Sequence, residues 1–476
     1  MSIAEYDYTI IGAGPAGMAA AITARKHDLN VLVLDEQPAV GGQIFRNIEG
    51  LEKYRNSEFR KLGVEYLSGR KLVQQFHNSG VVYLNGRSVW QIDRDLGIHH
   101  VSTIPTNQKS SVPQFCKTKH LLIAVGAMER PMPLPGWTLP GVMAFTAADV
   151  LYKSSGMIPQ GKVVLAGSGP LLLLIACRLL DAGVKISAFL DTTPRGALIQ
   201  ALPYLPQALR SFGYLKKGLE MLWKLRTSGI PIYSGIQEIE ALGNSKLELV
   251  RFKKGMKHPE VSADLLLLHN GVVPNVQITR QLACEHSWYD VQRYWEPILD
   301  NWGNTSMERT AVAGDCGRVS GAVVSEISGH LTALDTVRQL GVITLNERDK
   351  LSRTLRQSLQ SQQSCRPFLD KLFQPRQNLI VPNKEDVLVC RCEEVTVREI
   401  RETVRLGFKN PDRLKSMVRC GMGPCQGRMC GLTVSEIIAD EKQISPEEVG
   451  YFKIRSPIKP ITIGQLAEND WVDTKT

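Results

Sequence analysis

Two stretches of the chain repeat one order of apolar and polar segments: an apolar strand, a glycine-rich turn, a helix and a second apolar strand. The first runs from the strand at residues 6–11 through GAGPAG and an alanine-rich helix to the strand at 31–34. The second runs from 161–166 through GSGPLL and LLLIACRLLDAG to a strand that ends at Asp191. Strands that alternate with helices predict an α/β fold with parallel sheets.

A different pattern begins near residue 380, after a polar stretch rich in Gln and Ser. Thr396 and Glu399 form a capping box before a helix with Val397, Ile400 and Val404 on one face and a stop at Gly407. Thr433 and Glu436 repeat the capping spacing after Cys430. Two short capped helices are therefore predicted to position a group of cysteines.

Composition limits where and how the protein works. The 476 residues can build two or three cores, and no apolar run is long enough for a membrane span. The N-terminus enters a strand without a signal-peptide pattern, which predicts a cytoplasmic protein with reduced thiols. The net charge of +10 is spread along the chain without a nucleic-acid-binding module, so an acidic partner protein or anionic lipid is favoured over nucleic acid.

The first glycine-rich turn has every part of a dinucleotide-binding unit. Gly12 permits the tight turn, Gly14 lets a pyrophosphate approach the backbone, and Gly17 lets the helix lie close to the strand. The helix N-terminus offers free N–H groups to the phosphates. Asp35 and Glu36, 18 and 19 residues beyond Gly17, are placed to bind the ribose hydroxyls.

Other loops resemble those of FAD-dependent oxidoreductases with two dinucleotide-binding domains. Gly42 and Gln43 in DEQPAVGGQIFR resemble the second flavin-contacting loop, and Gly126 resembles the glycine at which the chain crosses between domains. The Gly314–Asp315 pair in TAVAGDCG resembles the late motif whose aspartate contacts the FAD ribityl–phosphate region. Arg46 is predicted either to lie near the flavin or to form a surface ion pair.

The second glycine-rich turn departs from the pattern. Gly167 and Gly169 are present, but Leu172 replaces the third glycine and is expected to crowd the contact between helix and strand. Asp191 could still bind a ribose. The site therefore holds NAD(P), holds another adenine nucleotide, or keeps the fold without a ligand.

The cysteines exclude disulfide reduction and indicate a metal centre. Cys116, Cys177, Cys284 and Cys316 are isolated in the sequence, so the chain lacks the cysteine pair of a disulfide reductase. Five of the ten cysteines lie between Cys390 and Cys430 in a CxC…CxxxxC arrangement. Four thiolates from two such loops suit an iron–sulfur cluster, and zinc is the alternative.

The chain as a whole resembles the FAD/2Fe–2S subunits of hydrogen cyanide synthase, opine oxidase and D-hydroxyproline or L-proline dehydrogenases. The matching segments are DEQPAVGGQIFR, ERPMPLPGWTLPGVM, GSGPLLLL, LHNGVVPN and RCGMGPCQGRMCG. The resemblance implies a C-terminal domain like bacterioferritin-associated ferredoxin, with a 2Fe–2S cluster. Its implied ligands are Cys390, Cys392, Cys425 and Cys430, with Cys420 as a neighbour outside the set.

The predicted architecture is a Rossmann-like FAD domain with an inserted second nucleotide-binding domain and a small C-terminal 2Fe–2S domain. The predicted segments are the FAD domain at 1–145 and 276–345, the inserted domain at 146–275, a linker at 346–384, the 2Fe–2S domain at 385–445 and a tail at 446–476.

The resemblance implies an electron-transfer component of a heteromeric dehydrogenase acting on the CH–NH bond of an amino acid, imino acid or opine. The partners it implies are an FAD-dependent catalytic subunit resembling D-amino-acid or sarcosine oxidase, a respiratory electron acceptor and a small third subunit. These partners could also place the protein peripherally at the inner membrane. No catalytic acid or base is assigned. The alternatives are a self-contained NAD(P)H-dependent reductase and a non-enzymatic scaffold.

Overall fold

The computed structural model describes residues 4–103 and 114–467. The strands, numbered along the chain, are β1 (Ala4–Ile11), β2 (Val31–Leu34), β3 (Val82–Leu84), β4 (Arg87–Ile92), β5 (Gly97–Ser102), β6 (Phe115–Ile123), β7 (Ala127–Glu129), β8 (Val142–Ala144), β9 (Val163–Gly167), β10 (Ile186–Asp191), β11 (Ile232–Ser234), β12 (Glu238–Leu242), β13 (Leu249–Lys253), β14 (Glu260–Ser262), β15 (Leu265–His269), β16 (Val272–Pro274), β17 (His286–Tyr289), β18 (Tyr294–Pro297), β19 (Thr310–Val312), β20 (Leu388–Cys390) and β21 (Val395–Thr396).

The α-helices, numbered in the same way, are α1 (Pro15–Arg25), α2 (Ile48–Tyr54), α3 (Asn56–Lys61), α4 (Val64–His77), α5 (Phe145–Ser155), α6 (Pro170–Asp181), α7 (Ala197–Ala201), α8 (Leu205–Ala208), α9 (Phe212–Thr227), α10 (Gln277–Gln281), α11 (Ala322–Gln339), α12 (Leu345–Gln363), α13 (Arg366–Leu372), α14 (Val397–Arg405), α15 (Pro411–Val418), α16 (Gly431–Lys442), α17 (Pro446–Val449) and α18 (Ile463–Ala467). In the described parts of the chain, no helix combines the length and the apolar character needed to cross a membrane.

The first sheet carries the first glycine-rich turn. Its order is β3-β2-β1-β6-β5-β4, and β19 returns to pair with the second half of β6. Strands β1, β2, β3, β6 and β19 are parallel, whereas β4 and β5 are antiparallel additions. The alanine-rich helix α1 packs tightly against α11, because a Cβ on Gly329 would lie only 2.1 Å from the carbonyl oxygen of Ala16.

The second sheet carries the second glycine-rich turn and is wholly parallel, in the order β11-β10-β9-β15-β8. Its edge strand β8 begins at Val142, a few residues before the predicted domain start at 146. The antiparallel pair β7 and β16 forms the two crossings between the domains. The predicted α/β architecture with two dinucleotide-type domains is confirmed.

The segment predicted as a linker is mostly helical. Thr344 and Glu347 form a capping box for α12, a 19-residue helix, and α13 follows it. Buried Asp335 on α11 accepts a hydrogen bond from Arg348 on α12 at 2.5 Å, which ties this segment to the first domain.

The C-terminal domain contains β20, β21 and helices α14 to α17. The capping box of Thr396 and Glu399 is present, and Val397, Ile400 and Val404 are fully buried, as predicted. The second predicted capping box is wrong. Helix α16 begins at Gly431, so Thr433 already lies within the helix, and Glu436 instead forms an ion pair with Arg293. Residues 468–476 of the predicted tail lie outside the described residues.

Candidate functional site

The first glycine-rich turn is shaped by close backbone contacts. A Cβ on Gly12 would lie 2.4 Å from the Ala124 carbonyl oxygen, and one on Gly17 would lie 1.9 Å from the Gly12 carbonyl oxygen. Gly14 differs from both, because its Cβ would meet only the Cα of Gly42 at 3.8 Å. Gly12 and Gly17 are therefore required by the fold itself, whereas Gly14 leaves space that a ligand could use.

The two predicted acids have different surroundings. The Asp35 carboxylate turns back into the loop, where it accepts hydrogen bonds from the backbone N–H of Ala13 at 2.5 Å and of Gln37 at 2.7 Å. Burial raises the pKa of Asp35. Glu36 is more exposed and pairs with Lys459 from the C-terminal segment. Asp35 thus fixes the conformation of the loop, and Glu36 is the more exposed of the two acids.

The segment after these acids brings Gln43 and Arg46 together. Arg46 donates hydrogen bonds to the side chains of Gln37 and Gln43, and neither contact is an ion pair. The Nε of Arg46 is buried without a hydrogen-bond partner among the described residues. Lys153 on α5, which no sequence pattern indicated, donates from Nζ to the Gln43 carbonyl at 3.3 Å and pairs with Asp149 at 2.6 Å. Burial lowers the pKa of Lys153 to about 8.

The Gly314–Asp315 motif lies against the N-terminus of α1. A Cβ on Gly314 would lie 2.9 Å from the Cβ of Ala16, at the start of α1. Asp315 accepts hydrogen bonds from the backbone N–H groups of Ser320 at 2.8 Å and Gly321 at 3.0 Å, just before α11. Gly126 has a φ of +67°, and a Cβ there would meet nothing within 4 Å.

These features fit an FAD molecule. The open face at Gly14 and Gly126, the free N-terminus of α1 and the unpartnered Arg46 Nε provide a cradle and donors for a diphosphate. Bound FAD would supply two-electron oxidation and one-electron release.

The second glycine-rich turn keeps the geometry of a nucleotide loop despite the missing third glycine. Gly167 and Gly169 have φ angles of +146° and +117° and lead into α6. Leu172 is buried in the core of this domain, so the helix accommodates the larger residue. The Asp191 carboxylate accepts a hydrogen bond from the backbone N–H of Thr193 at 2.9 Å.

The isolated cysteines are buried thiols. Cys316 follows Asp315, and burial raises its pKa to about 12, which removes the thiolate that thiol chemistry requires. Cys116 shows the same effect for the same reason. All ten cysteines are free, so the four isolated thiols form no disulfide.

The C-terminal cysteines form one group of thiols. The Sγ atoms of Cys390, Cys420 and Cys430 lie within 4.8 Å of one another, and all three residues are buried. Hydrogen bonds from Cys420 and Cys430 lower the pKa of Cys390 to about 2. The thiols of Cys392 and Cys425 are more exposed, and the neighbouring Cys425 influences the pKa of Cys392, which burial raises.

The donor set fits a metal centre with sulfur ligands. Sulfur-only coordination suits an iron–sulfur cluster or zinc. Of the four cysteines named from the resemblance, Cys390 and Cys430 belong to the buried triad and Cys392 and Cys425 lie outside it, whereas Cys420, which the resemblance placed outside the set, completes the triad. Five thiols therefore compete for four positions, and the choice of ligands stays a prediction.

The cysteine domain is fastened to the flavin domain by polar contacts that the sequence did not reveal. Gln277 Nε2 donates to the carbonyl of Gln426, next to Cys425, at 3.1 Å. Trp137 Nε1 in the proline-rich connector donates to the carbonyl of Leu388 at 2.8 Å. Arg293 pairs with the fully buried Glu436. The sequence signal at this junction was the proline-rich segment ERPMPLPGWTLPGVM, which carries part of the family resemblance.

Buried Arg130 also binds the backbone at this junction. It donates from Nε to the Asn270 carbonyl at 3.1 Å, from Nη1 to the Arg293 carbonyl at 2.8 Å, and from Nη2 to the Gln292 carbonyl. The turn that carries Arg293 is thereby fixed to the crossing between the two nucleotide-type domains.

Comparison with known proteins agrees with this arrangement. The pyridine nucleotide-disulphide oxidoreductase family matches residues 6–330, and the sarcosine oxidase A3 domain matches residues 384–469. The chain is 40% identical to an opine oxidase subunit of Agrobacterium tumefaciens over 97% of this chain and 91% of that protein. It is 28% identical to the hydrogen cyanide synthase subunit HcnB of Pseudomonas protegens over 97% of each chain.

Among solved structures, an L-proline dehydrogenase from P. horikoshii has the same fold. The TM-score is 0.70 at 20% identity, over 98% of this chain and 80% of that chain. The two glycine-rich loops, the cysteine domain and the near full-length match to an opine oxidase subunit lead to one conclusion: the chain belongs to the opine oxidase family of FAD-dependent oxidoreductase subunits.

Proposed function

We propose that the chain is the FAD- and 2Fe–2S-containing subunit of a heteromeric dehydrogenase or oxidase acting on the CH–NH bond of an amino acid, imino acid or opine. In this proposal a separate FAD-dependent catalytic subunit oxidises the amine, and this chain passes the electrons to a respiratory acceptor. A 2Fe–2S cluster would add a one-electron carrier to the two-electron flavin. Cys390, Cys430 and two of Cys392, Cys420 and Cys425 would hold it.

The fixed junction between the cysteine group and the flavin domain is the observation that carries the proposal. Electron transfer between two redox sites slows steeply with their separation, so contacts that fix the two domains together favour it. Gln277 contacts the backbone beside Cys425, and Trp137 contacts the strand that ends in Cys390. These contacts hold both cysteine loops against the domain that carries the FAD cradle.

An exposed apolar face supports the presence of a partner. Phe212, Leu219 and Trp223 lie on the outer face of α9 and are 60%, 66% and 70% exposed. Large apolar side chains grouped on one face of a protein are typical of an interaction surface. We assign this face to the catalytic subunit, since the relatives are themselves named as subunits of opine oxidase and of hydrogen cyanide synthase.

The test is an anaerobic reduction of the purified chain, alone and together with a candidate amine-oxidising partner. Visible absorbance follows the flavin while proline, hydroxyproline, octopine, nopaline or glycine is added. Because the partner carries its own flavin, we expect bleaching in excess of the partner's flavin content only when both chains are present, and a smaller excess when Trp223→Ser weakens the complex. Bleaching of the isolated chain by an amine, or no bleaching with any co-purifying partner, contradicts the proposal.

A self-contained NAD(P)H-dependent reductase is the second candidate, and the intact geometry of the loop at Gly167 and Gly169 favours it. Titration with NADH and with NADPH separates the two functions. Rapid bleaching of the isolated chain supports the reductase. Reduction by dithionite but by neither nucleotide supports the electron-transfer role within a larger enzyme.

A further inference from the structure

An arginine without a carboxylate partner lies at the junction between the flavin domain and the cysteine domain. Arg280 is on α10, the helix whose Gln277 contacts the backbone beside Cys425. Its Nε and Nη2 atoms are buried, and neither has a hydrogen-bond partner among the described residues. In residues 4–103 and 114–467, no carboxylate forms an ion pair with it. A buried charge of this kind is costly unless a group of opposite charge lies nearby.

Two aromatic rings hold the guanidinium group of Arg280 in place. Its central carbon lies 4.6 Å from the centre of the Trp295 ring and 5.2 Å from the centre of the Tyr451 ring. Cation–π contacts of this kind are favourable, but the rings carry no net charge. Burial lowers the pKa of Arg280 to about 10, so the guanidinium group is still charged at neutral pH. Its positive charge is therefore not compensated by any described residue in contact with it.

Tyr451 connects this charge to the loop between Cys425 and Cys430. Its hydroxyl oxygen lies 3.5 Å from the carbonyl oxygen of Gly427. A Cβ on Gly431, the residue after Cys430, would collide with the same hydroxyl. Tyr451 thus contacts both the guanidinium group of Arg280 and the cysteine loop. Four thiolates around a 2Fe–2S core form a group with a net negative charge, which is the kind of group that Arg280 lacks as a partner.

We propose that Arg280 is the buried positive charge that compensates the negative charge of the cluster and raises its reduction potential. This inference rests on the cluster of the proposed function. A positive charge near a cluster favours the form that holds one more electron, because net charge is one of the properties that set the potential. Little water separates buried groups, so the interaction is stronger here than at the protein surface. Arg280 acts through space and is not a ligand.

A redox titration of the purified full chain with its flavin and cluster, followed by electron paramagnetic resonance, tests the proposal. We expect Arg280→Met, which keeps an unbranched side chain beside Trp295 and Tyr451, to lower the midpoint potential of the cluster. The expected shift is about tenfold in the one-electron equilibrium, or about 59 mV. Arg280→Lys retains the charge and should recover most of this shift. Arg60→Met removes an exposed charge on α3 and should leave the potential unchanged.

Thermal unfolding separates this charge effect from packing. Without the cluster, Arg280→Met should melt no lower than the wild type, because it removes an uncompensated buried charge. With the cluster, the same variant should melt lower than the wild type. Equal losses in both states would assign Arg280 to packing and overturn the proposal.

The potentials decide the remaining outcomes. The proposal is overturned if Arg280→Met keeps the wild-type midpoint potential, or if Arg280→Lys shifts it as far as Arg280→Met does. A wild-type chain that gives no cluster signal on reduction contradicts the cluster of the proposed function itself, and this inference with it. A wild-type cluster signal with an unchanged potential in Arg280→Met overturns only this inference.

Discussion

Glu436, on the helix that follows Cys430, is fully buried, and its carboxylate receives both Nε and Nη2 of Arg293 on the flavin-domain side. The Nε bond is 2.8 Å long. A buried charge of this kind is tolerated only when it is paired and hydrogen-bonded. The pair is therefore a buried ionic link between the cysteine domain and the rest of the chain.

Breaking this pair should destabilise the junction. We expect Arg293→Met to lower the free energy of unfolding by about 3 kcal/mol, because it leaves the Glu436 carboxylate buried and unpaired. Urea unfolding followed by tryptophan fluorescence measures the loss. The double variant Arg293→Met with Glu436→Leu removes both charges and should recover most of the stability. If Arg293→Met alone matches the wild type, the pair does not fasten the domains.

The glycines of the first loop should separate cofactor binding from folding. We expect Gly14→Ala to leave the melting temperature of the flavin-free protein unchanged, since the added Cβ meets only Gly42 at 3.8 Å. The same variant should lose FAD, because the methyl group projects into the space that the pyrophosphate needs.

Gly17→Ala is the matched comparison, since its Cβ would lie 1.9 Å from the Gly12 carbonyl oxygen. It should destabilise the flavin-free protein itself. Thermal unfolding and flavin content after purification measure both effects. Full FAD occupancy in Gly14→Ala would remove this glycine from the cofactor site.

The cysteine variants should identify the cluster ligands. We expect Cys425→Ser to lose iron and acid-labile sulfide while it keeps the flavin, and Cys420→Ser to keep all three. Four thiolates hold a 2Fe–2S cluster, so the loss of one ligand releases the cluster. The loss of a neighbouring thiol leaves all four ligands in place. Iron and sulfide assays with visible circular dichroism provide the measurement, and Cys177→Ser is the control. The reverse result would make Cys420 a ligand in place of Cys425.

Asp335 should make stability depend on pH in the acidic range. Burial alone would raise its pKa, but four side chains donate hydrogen bonds and lower the pKa from 3.8 to about 2. These side chains are Asn304, Arg338, Gln339 and Arg348. A carboxylate whose pKa is lowered in the folded state stabilises the fold at pH values above its unfolded-state pKa. This contribution is lost as the pH falls towards the folded-state pKa.

The corresponding variant is Asp335→Asn. We expect it to lose about 2 kcal/mol of unfolding free energy at pH 6 from the loss of this carboxylate, and the gap to the wild type should close between pH 4 and pH 2. Urea unfolding at a series of pH values measures the difference. A gap that stays constant across this range would assign the effect of the variant to packing alone.

The local structure could be predicted from the sequence wherever neighbouring residues determine it. The capping box of Thr396 and the apolar face of the helix that follows it appear in the structure because neighbouring residues determine them. The second capping box failed for a tertiary reason. Glu436 has the spacing of a capping residue, yet Arg293, 143 residues earlier in the chain, pairs with it.

The sequence by itself determined the two dinucleotide-type domains, the cysteine domain and their order, since glycine spacing, apolar periodicity and cysteine spacing are local properties of the chain. Only the tertiary structure decided which side chains meet. It brought Cys420 into the thiol group, turned Asp35 into its own loop, set Lys153 against Gln43, and placed His269 and Glu129 beside the second loop. Glu129 and His269 are 140 residues apart, and their contact depends on how two sheets pack, which no local pattern encodes.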